Sequence, residues 1–511
     1  MRNRKSIKRL GWVYAVFMAT GIAMCVWLIR LSNAVGGVNS EQVRLAEETK
    51  QEKEMAAMTE ESVMGDIYDK NGKLIVSEES DGKLWYRHDE AYSNVIGFTG
   101  LSNTRSGHLL MGKFATDLFY ADGGTNRGRN LTLTLDADVQ EFAYDLINSG
   151  GGDLGSIVVL NAKTGAVIAM AYNPSFSIQE IQNGTLILDA ASESSTMFSP
   201  LQNPTRPGSI FKIVTSIGIA EQNLENVVID DEGSGTWKQD GVEISNFGGY
   251  AYGALTYKTA LIKSSNIYFG RMAYEHIKWD QFEEIVCDRC KVGETLGLDF
   301  GTVLSQYDYL ADEDEAGPNT AEGRYDTNQE LAKAAYGYAD IKLTSLQAAM
   351  ITQGIANDGI MCTPYMVESI CKTEGYEISD GIYRYTLGEV VESINNNTYG
   401  KGETTKITSP EASDKITDAM QGVYESVKSN SSLEGVEEGG IVIDGVKYSV
   451  ALKTGTADIS TDMPQYNNTW MVSFSPAEDP QYVVVVNRYG VTGKVGANLF
   501  DDVVKMYQVL F

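Results

Sequence analysis

The sequence predicts an α+β fold in which an antiparallel sheet is flanked by helices. Two observations support this prediction. Short apolar runs separated by turn residues occur at residues 156–172 and again after residue 441, and such runs are typical of antiparallel strands. Between them lie segments of helical length whose apolar residues recur every three or four positions.

The composition indicates a folded, acidic protein. At 511 residues the chain is long enough for two or three domains, and a hydrophobic fraction of 43% with 22% charged residues is that of a globular protein. The net charge of −28 argues against nucleic-acid binding, because neutralising phosphates needs clustered Lys and Arg. We interpret the acidity as a soluble surface that identifies no partner.

The first element along the chain is an apolar run at residues 10–29, which carries no charge and is long enough to cross a bilayer as a helix. Five basic residues precede it: Arg2, Arg4, Lys5, Lys8 and Arg9. The positive-inside rule therefore predicts a single-pass plasma-membrane protein with a cytoplasmic N-terminus and an exported remainder. A cleaved signal peptide is the alternative, since Ser32-Asn33-Ala34 resembles a cleavage site, but the length of the apolar run favours a retained anchor.

Changes in composition divide the chain into five parts. Residues 1–9 form a cytoplasmic tail, residues 10–30 the transmembrane anchor, and residues 31–62 a polar juxtamembrane linker with helical character. Residues 63–150 form a small β-containing domain that begins around an Asn-Gly turn and ends at a Gly-rich stretch. Residues 151–511 form the large domain that carries the predicted sheet and helices.

Periodicity predicts the individual elements of these domains in order. Strands are expected at residues 130–135, 156–160, 166–172, 441–443, 446–456, 469–474 and 482–487. Helices are expected at residues 136–147, 209–222, 255–275 and 343–357. A Lys-Thr-Gly turn joins the two strands of the first hairpin.

The cysteines indicate neither a disulfide framework nor a metal centre. Cys25 lies in the apolar run, which leaves Cys287, Cys290, Cys362 and Cys371. Cys287 and Cys290 form a C-x-x-C, but no second cysteine pair or nearby histidine completes a zinc site. We therefore expect thiols or one local disulfide, and we expect no metal and no cofactor.

The first motif with chemical meaning is an S-x-x-K formed by Ser209 and Lys212, directly after a Pro-Gly pair where a helix is expected to begin. Positions i and i+3 share one face of a helix, so the amine can lie against the hydroxyl. A desolvated Lys212 would lose its charge and could accept the proton of Ser209, the nucleophile. The pattern alone is weak, because Ser80 and Lys83 form a second copy in a polar turn.

The second motif is an S-x-N formed by Ser264 and Asn266, within a segment that is otherwise typical of one helix. The Ser264 hydroxyl could relay a proton between Lys212 and a leaving group, and the Asn266 amide could bind a substrate amide. A polar helix end that caps itself is the alternative. Ser393 and Asn395 form a chance match of the same type.

The third motif is Lys453-Thr454-Gly455 followed by Thr456, at the end of a predicted strand. Gly455 would let a substrate backbone approach the strand closely, and the two threonine hydroxyls with the Lys453 cation suit a carboxylate. A second K-T-G at residues 163–165 lies at the hairpin turn and precedes the serine, so we do not assign it to the site.

The order of the three motifs is more informative than any one of them. An S-x-x-K, then an S-x-N, then a K-T-G on a strand is the set found in β-lactamases and penicillin-binding proteins. On these motifs the chain resembles class B penicillin-binding proteins, and the similarity covers residues 65–72, 131–140, 156–174, 207–215, 263–270, 344–359 and 452–457. No glycosyltransferase-like segment precedes them, which disfavours class A, and the short region before the large domain resembles a subgroup with a reduced pedestal.

The resemblance implies a fold and an activity. Residues 63–150 would be the pedestal, and residues 151–511 would have the transpeptidase fold shared with serine β-lactamases. The reaction would be peptidoglycan cross-linking: Ser209 attacks the D-Ala-D-Ala end of a stem peptide and releases D-Ala, and an amine of a second stem peptide resolves the acyl-enzyme. The backbone N–H groups of Ser209 and Thr456 would form the oxyanion hole.

The resemblance also implies ligands and partners. β-Lactams would acylate Ser209 as substrate mimics, and a polytopic membrane glycan polymerase of the shape-and-division type would be the partner. Two departures from the family pattern are Ile210, where threonine is common, and the long interval between Asn266 and Lys453, which indicates insertions.

Other functions remain as alternatives. A D,D-carboxypeptidase would use water as the acceptor, and a non-catalytic scaffold would need no intact set of motifs. A β-lactamase is disfavoured because it needs a deacylating base, and the Glu315 and Asn319 pair lies in an acidic loop. A β-lactam sensor is disfavoured because it needs a cytoplasmic signalling part, and only nine residues precede the anchor. A Ser-His-Asp hydrolase is disfavoured because the histidines, His88, His108 and His276, lie in unrelated contexts.

Overall fold

The structure is a computed structural model of the chain. It describes residues 62–79, 81–98, 109–119, 127–149, 154–185, 201, 203–231, 233–303, 305–307, 327–339, 341–379, 382–393, 402–459 and 466–511. The anchor expected at residues 10–30 and nearly all of the expected linker lie outside these ranges. Within them, each helix is too short or too polar to traverse a bilayer.

The described residues form strands that we number in chain order. They are β1 Ile67–Tyr68, β2 Leu74–Glu78, β3 Leu84–Tyr86, β4 Asn130–Leu133, β5 Leu154–Asn161, β6 Val167–Asn173, β7 Ile229–Asp230, β8 Thr236–Gln239, β9 Val242–Ser245, β10 Ala254–Leu255, β11 Leu296–Leu298, β12 Gly301–Val303, β13 Gln306–Tyr307, β14 Ile341–Lys342, β15 Ile360–Cys362, β16 Val367–Ser379, β17 Ile382–Ser393, β18 Thr404–Lys406, β19 Val436–Glu437, β20 Gly440–Ile443, β21 Val446–Tyr448, β22 Ala451–Asp458, β23 Tyr466–Ser475 and β24 Tyr482–Thr492.

The α-helices are numbered in the same way. They are α1 Asp89–Ile96, α2 Leu109–Lys113, α3 Ala115–Phe119, α4 Ala137–Asn148, α5 Ile178–Gln182, α6 Lys212–Glu221, α7 Tyr257–Lys263, α8 Asn266–Met272, α9 Lys278–Glu283, α10 Thr327–Ala334, α11 Ser345–Ala356, α12 Pro410–Val427 and α13 Phe500–Leu510. A 3₁₀ turn at Gly208–Phe211 leads directly into α6.

A five-stranded sheet in the order β22-β23-β24-β5-β6 forms the centre of the large domain, and every neighbouring pair in it is antiparallel. Both faces are covered, because consecutive valines of β24, whose side chains alternate between the faces, are all fully buried. Helices α4, α11 and α13 pack against this sheet, while α12 packs against β22 at its edge. The predicted antiparallel sheet flanked by helices is confirmed.

A second, six-stranded sheet has the order β17-β16-β4-β1-β2-β3. Strands β1 and β4 are parallel, and the other neighbours are antiparallel. The strands β1 to β4 come from the N-terminal part of the described chain. Strands β16 and β17 return from more than 230 residues further along to pair beside β4, a connection that no local pattern in the sequence indicated. The interval between Asn266 and Lys453, in which we expected insertions, therefore also contributes to the N-terminal sheet.

Most of the elements expected in the large domain are present, with two exceptions. The single strand predicted at residues 446–456 is wrong, because β21 ends at Tyr448 and β22 begins at Ala451 in a different sheet. The predicted hairpin is β5 and β6, and the helix predicted at residues 343–357 is α11. The single helix predicted at residues 255–275 is wrong: α7 ends at Lys263 and α8 begins at Asn266. Ser264 between them has φ +55° and ψ +41°, a left-handed conformation that stops a right-handed helix.

The cysteines of the described region carry free thiols. Cys287 and Cys290 are not bonded to each other, and Cys362 and Cys371 are buried singly. Burial raises the pKa of the Cys290 thiol to about 12, so it is uncharged at neutral pH. These thiols act as small apolar residues in the core.

Candidate active site

Ser209 lies in the 3₁₀ turn that begins helix α6, and the backbone beside it packs tightly on strand β22. A Cβ at Gly208 would lie 2.6 Å from the carbonyl oxygen of Thr456, and the φ of +53° at Gly208 also favours glycine. The N–H of Gly208 donates to the carbonyl of Gly337 at 3.2 Å. The glycine that precedes Ser209 thus allows the turn to lie directly against the strand.

Side chains of β23 hold the segment that leads to this turn. The Asn468 amide donates to Thr205 Oγ1 at 2.8 Å and to the Arg206 carbonyl at 2.9 Å. The indole N–H of the fully buried Trp470 donates to the same Arg206 carbonyl at 3.0 Å. Three hydrogen bonds from one strand therefore fix the position of Ser209 over the sheet.

Gly455 completes the packing between the turn and the strand. A Cβ at this position would lie 2.8 Å from the carbonyl oxygen of Pro207, 2.9 Å from Ile210 Cγ2 and 3.1 Å from Trp470 Cβ. Close packing inside the protein therefore explains the glycine at position 455. This reason adds to the close approach of a substrate that the sequence led us to expect. Ile210, the departure from the family pattern, is buried in this contact.

The Lys212 amine lies at the centre of a group of polar atoms. Its Nζ is 2.9 Å from Ser209 Oγ, 2.6 Å from the Ser264 carbonyl oxygen, 3.1 Å from Ser264 Oγ and 2.8 Å from Asn266 Oδ1. The side chain is fully buried, and the ring of Phe269 lies 5.8 Å from Nζ. The structure therefore brings the S-x-x-K and S-x-N motifs into direct contact.

Burial, aided by the nearby Lys453, holds the pKa of Lys212 well below its usual range. A neutral amine has two N–H donors and one lone pair. The Ser264 carbonyl can only accept, and so can Asn266 Oδ1, because the amide nitrogen of Asn266 donates to the Ser245 carbonyl at 2.9 Å. In its deprotonated form, Lys212 can therefore donate both N–H groups to these two acceptors and direct its lone pair at the hydroxyl proton of Ser209.

The helix break at Ser264 and Ser265 creates this arrangement. The left-handed Ser264 ends α7 and turns its carbonyl and hydroxyl toward Lys212. Ser265 then caps α8, because its Oγ accepts from the N–H of Tyr268 at 3.1 Å. A continuous helix would have used the Ser264 carbonyl within its own hydrogen-bond ladder.

Lys453 reaches the same hydroxyl from the opposite side. It is fully buried in β22, and its Nζ lies 3.1 Å from Ser264 Oγ and 2.7 Å from the Thr454 carbonyl oxygen. Burial lowers the pKa of Lys453 to about 7. The Ser264 hydroxyl therefore lies 3.1 Å from each of two lysine amines, and burial lowers the pKa of both.

The alternation of side chains along β22 separates two roles. Lys453 and Gly455 are buried, whereas Thr454 and Thr456 are half-buried and line the open cleft. Thr456 Oγ1 accepts from the N–H of Gly496 at 3.0 Å, which joins the strand to the next loop. Two threonines of one strand thus line the cleft together with Ser264 and Asn266.

The cleft has an open volume of about 660 Å³ and contains Ser209. Its other lining residues are Phe247, Tyr252, Lys263, Ser264, Asn266, Tyr338, Thr454, Thr456 and Val495. Phe247, Tyr252, Lys263, Tyr338 and Val495 were not expected from the sequence. The aromatic, Gly-rich stretch before α7 was the one sequence feature that could have indicated these cleft residues. Its spacing, however, has no recognisable relation to Ser209.

The alternative matches in the sequence either lie outside the described residues or have other partners. Ser80 lies outside the described residues, and the backbone N–H of Lys83 is bonded to Asp81 in a turn. His88 packs edge-on against Tyr144, 5.2 Å between ring centroids, and His108 lies outside the described residues. The described side chains include no group of three or more metal-ligating residues.

Comparisons with known proteins agree with this geometry. A family model described as penicillin binding protein transpeptidase domain matches residues 155–505. The chain is 26% identical over 447 residues to the peptidoglycan D,D-transpeptidase PbpA of Mycolicibacterium smegmatis, with 81% of each chain covered.

Solved structures share the fold. The D,D-transpeptidase domain of a peptidoglycan glycosyltransferase from Eggerthella lenta superposes with a TM-score of 0.67 at 25% identity, covering 88% of this chain and 99% of that one. The penicillin G acyl-enzyme complex of penicillin-binding protein A from M. tuberculosis gives a TM-score of 0.67 at 20% identity, covering 88% of this chain and 100% of that one.

Proposed function

The chain belongs to the family of penicillin-binding protein transpeptidase domains, and from this we propose that it is a serine D,D-transpeptidase that cross-links peptidoglycan stem peptides. The observation that carries the proposal is the contact between the fully buried Lys212 amine and the Ser209 hydroxyl, 2.9 Å apart, at a site where burial holds the pKa of Lys212 well below its usual range. Serine is a weak nucleophile until a base accepts its proton. A lysine with its lone pair directed at that hydroxyl provides the base.

Acylation begins when Lys212 accepts the proton of Ser209 and Ser209 Oγ attacks the carbonyl carbon of the penultimate D-Ala. The C–N bond to the terminal D-Ala then breaks, and its nitrogen needs a proton. Ser264 Oγ, 3.1 Å from Lys212 Nζ, is placed to pass that proton on. D-Ala leaves as the free amino acid, and the donor remains as an ester on Ser209.

The backbone N–H groups of Ser209 and Thr456 form the oxyanion hole in this mechanism. Gly208 supports this assignment, because its lack of a side chain brings the backbone of the nucleophile turn against Thr456. Donors fixed in place before the reaction stabilise the developing negative charge without reorganisation. The hydrogen bonds from Asn468 and Trp470 supply that rigidity.

The terminal carboxylate of the donor binds at Thr454, Thr456 and Lys453. The two threonines line the cleft, and a bound carboxylate favours the charged form of Lys453, whose pKa burial lowers to about 7. Asn266 holds the donor amide from the opposite wall and keeps Lys212 oriented. β-Lactams acylate Ser209 in the same way, as the penicillin G complex of the M. tuberculosis relative illustrates.

The enzyme works outside the cell on a single membrane anchor. The uncharged run at residues 10–29 and the basic residues before it support a plasma-membrane location with the N-terminus in the cytoplasm. Residues 63–150 act as the pedestal that holds the transpeptidase domain, residues 151–511, away from the membrane. A polytopic glycan polymerase of cell-wall elongation or division is the partner, and a pull-down of the intact, detergent-extracted chain tests this.

A donor and acceptor assay tests the activity. The protein is incubated with a D-Ala-D-Ala-terminated pentapeptide and an excess of a free amine, and released D-Ala and coupled product are measured. We expect both in the wild type and neither in Ser209→Ala. D-Ala release without coupling would assign a carboxypeptidase, and activity that persists in Ser209→Ala would refute the assignment of the nucleophile.

A further inference from the structure

A second open cavity is lined by residues of helix α12, the C-terminal end of α11, and the turns β5–β6 and β23–β24. Its open volume is about 910 Å³, which is within the range of ligand sites. The described residues that line it include none of those that line the active-site cleft. The cavity is therefore a separate candidate binding site.

The charged residues of this lining are mostly acidic: Asp358, Asp414, Asp418, Glu478 and Asp479, with Lys163 as the cation among the described ones. Lys163 forms an ion pair with Asp479 at 3.5 Å. Asp418 pairs at 2.7 Å with Lys258, which lies outside the lining. The lining thus carries more negative than positive charge, which favours a cationic ligand.

Two of these carboxylates have no partner. Asp414 is exposed on α12, and Asp358 is exposed shortly after the end of α11. No hydrogen bond or ion pair joins either side chain to another described residue. Glu478 differs, because its carboxylate accepts from Gln421 Nε2 at 3.2 Å. Asp358 and Asp414 are therefore available to a cation from outside the chain.

Ser413, beside Asp414, is a buried hydroxyl without a partner. It lines the cavity and is 2% exposed, and its Oγ makes no hydrogen bond to a described residue. The Ser216 hydroxyl in α6 shows the usual alternative, because it donates to the Lys212 carbonyl one turn earlier at 2.7 Å. Buried hydroxyls are normally paired, since an unpaired one costs stability. A ligand in the cavity would supply the missing partner of Ser413.

Apolar residues complete the lining: Ile355, Ala356, Ala477 and Pro480, all of them buried. A lysine side chain combines a flexible aliphatic stem with an ammonium group that carries several N–H donors. Its stem packs on apolar surface while its charge meets polar groups. A lining of carboxylates, a hydroxyl and apolar atoms therefore suits lysine.

We propose that this cavity binds a lysine-bearing peptide segment of a partner protein. A lysine ammonium donates to Ser413 Oγ and pairs with Asp414 or Asp358, while the apolar lining contacts its stem. The cavity is larger than one lysine side chain, and its carboxylates come from separate elements. A segment with more than one lysine therefore fits it better than a single amine.

Fluorescence anisotropy of labelled peptides tests this proposal on the full chain in detergent. In one peptide lysine alternates with alanine, and in the other glutamine replaces each lysine. We expect the wild type to bind the lysine peptide about tenfold more tightly. Ser413→Ala should weaken this binding about tenfold, the effect of one hydrogen bond to a charged group. Asp414→Asn should weaken it about threefold, because an exposed ion pair contributes less.

Glu411→Gln is the matched control, because it removes an exposed carboxylate from the same helix outside the cavity lining. It should bind the lysine peptide as the wild type does. Thermal unfolding is measured on each variant, and Ser413→Ala should unfold no earlier than the wild type, since it removes an unpaired hydroxyl.

Several results would overturn the proposal. They are equal affinity for the two peptides, unchanged affinity in Ser413→Ala, or a loss in Glu411→Gln as large as that in Asp414→Asn. Spermidine is measured in parallel by competition. Displacement of the lysine peptide at equal concentration of spermidine would assign the cavity to small polyamines and contradict a peptide partner.

Discussion

The two Lys-Thr-Gly segments have the same three residues and very different surroundings. Lys163 lies at the hairpin turn between β5 and β6, 43% exposed in its side chain, with a 3.5 Å contact to Asp479. The turn is held by Asn161, whose side chain accepts from the backbone N–H groups of Lys163 and Thr164 at 3.0 Å. Lys453 lies in β22, fully buried, with its amine 3.1 Å from the Ser264 hydroxyl.

The difference shows that backbone context, not the residue triplet, determines the chemistry. In a turn, the threonine and lysine are solvated and the lysine keeps its charge partner on the surface. In the antiparallel edge strand β22, alternate side chains point to opposite faces, so the lysine is buried and the threonines reach the cleft. Burial then lowers the pKa of Lys453 to about 7.

Replacing Lys453 or Lys163 by alanine should give the largest difference between the two Lys-Thr-Gly segments. Lys453→Ala removes the cation for the donor carboxylate and one neighbour of the Ser264 hydroxyl, and we expect acylation by benzylpenicillin to slow roughly 10³-fold. Lys163→Ala should acylate at the wild-type rate. The rates are measured by stopped-flow fluorescence at pH 7. Equal rates in the two variants would mean that the strand context of Lys453 has no catalytic role.

Replacing Gly455 by alanine should slow catalysis, whereas replacing Gly165 by alanine should lower stability alone. Gly455→Ala introduces a Cβ about 3 Å from Pro207, Ile210 and Trp470, which must shift the nucleophile turn, and we expect roughly 10²-fold slower acylation. Gly165→Ala meets Cys362 and a φ of +73°, so it should lower stability by about 1–2 kcal/mol and leave the acylation rate of folded protein unchanged. Thermal unfolding and acylation are measured on both; a rate loss in Gly165→Ala would contradict this separation.

The pH dependence of acylation should give the smallest difference between the two Lys-Thr-Gly segments. Lys453 is charged below its pKa of about 7 and neutral above it, so the binding of a β-lactam that carries a carboxylate should weaken as pH rises through 7, by roughly tenfold at pH 8. Lys163→Ala should show the same fall, whereas Lys453→Ala should show none in this range. The second-order acylation constant is measured from pH 6 to pH 9. A flat wild-type profile would mean that Lys453 is charged throughout.

The sequence predicted the elements and motifs better than their three-dimensional connections. The order of the motifs selected Ser209 over Ser80, and turn residues distinguished the two Lys-Thr-Gly segments, because these are local properties. The break at Ser264 could not be predicted, since the apolar periodicity continues through it and the left-handed residue is stabilised by contacts with Lys212.

The remaining differences arise from contacts distant in sequence. Strands β16 and β17 join the N-terminal sheet because β16 pairs with β4 and β17 pairs with β16, and such pairing leaves no periodic signature of its own. Phe247, Lys263 and Tyr338 meet at one cleft although 91 residues separate the first from the last. Nothing local in the sequence encodes that they share a cleft with Ser209.

Mass spectrometry of the acyl-enzyme tests the central claim most directly. The intact chain is incubated with benzylpenicillin, its mass is measured, and the modified residue is located by peptide mapping. The account predicts one covalent adduct per chain, on Ser209, which is lost in Ser209→Ala and forms slowly in Lys212→Ala because no base accepts the hydroxyl proton. An adduct on Ser80 or any other residue, or no adduct on the folded wild-type chain, would contradict it.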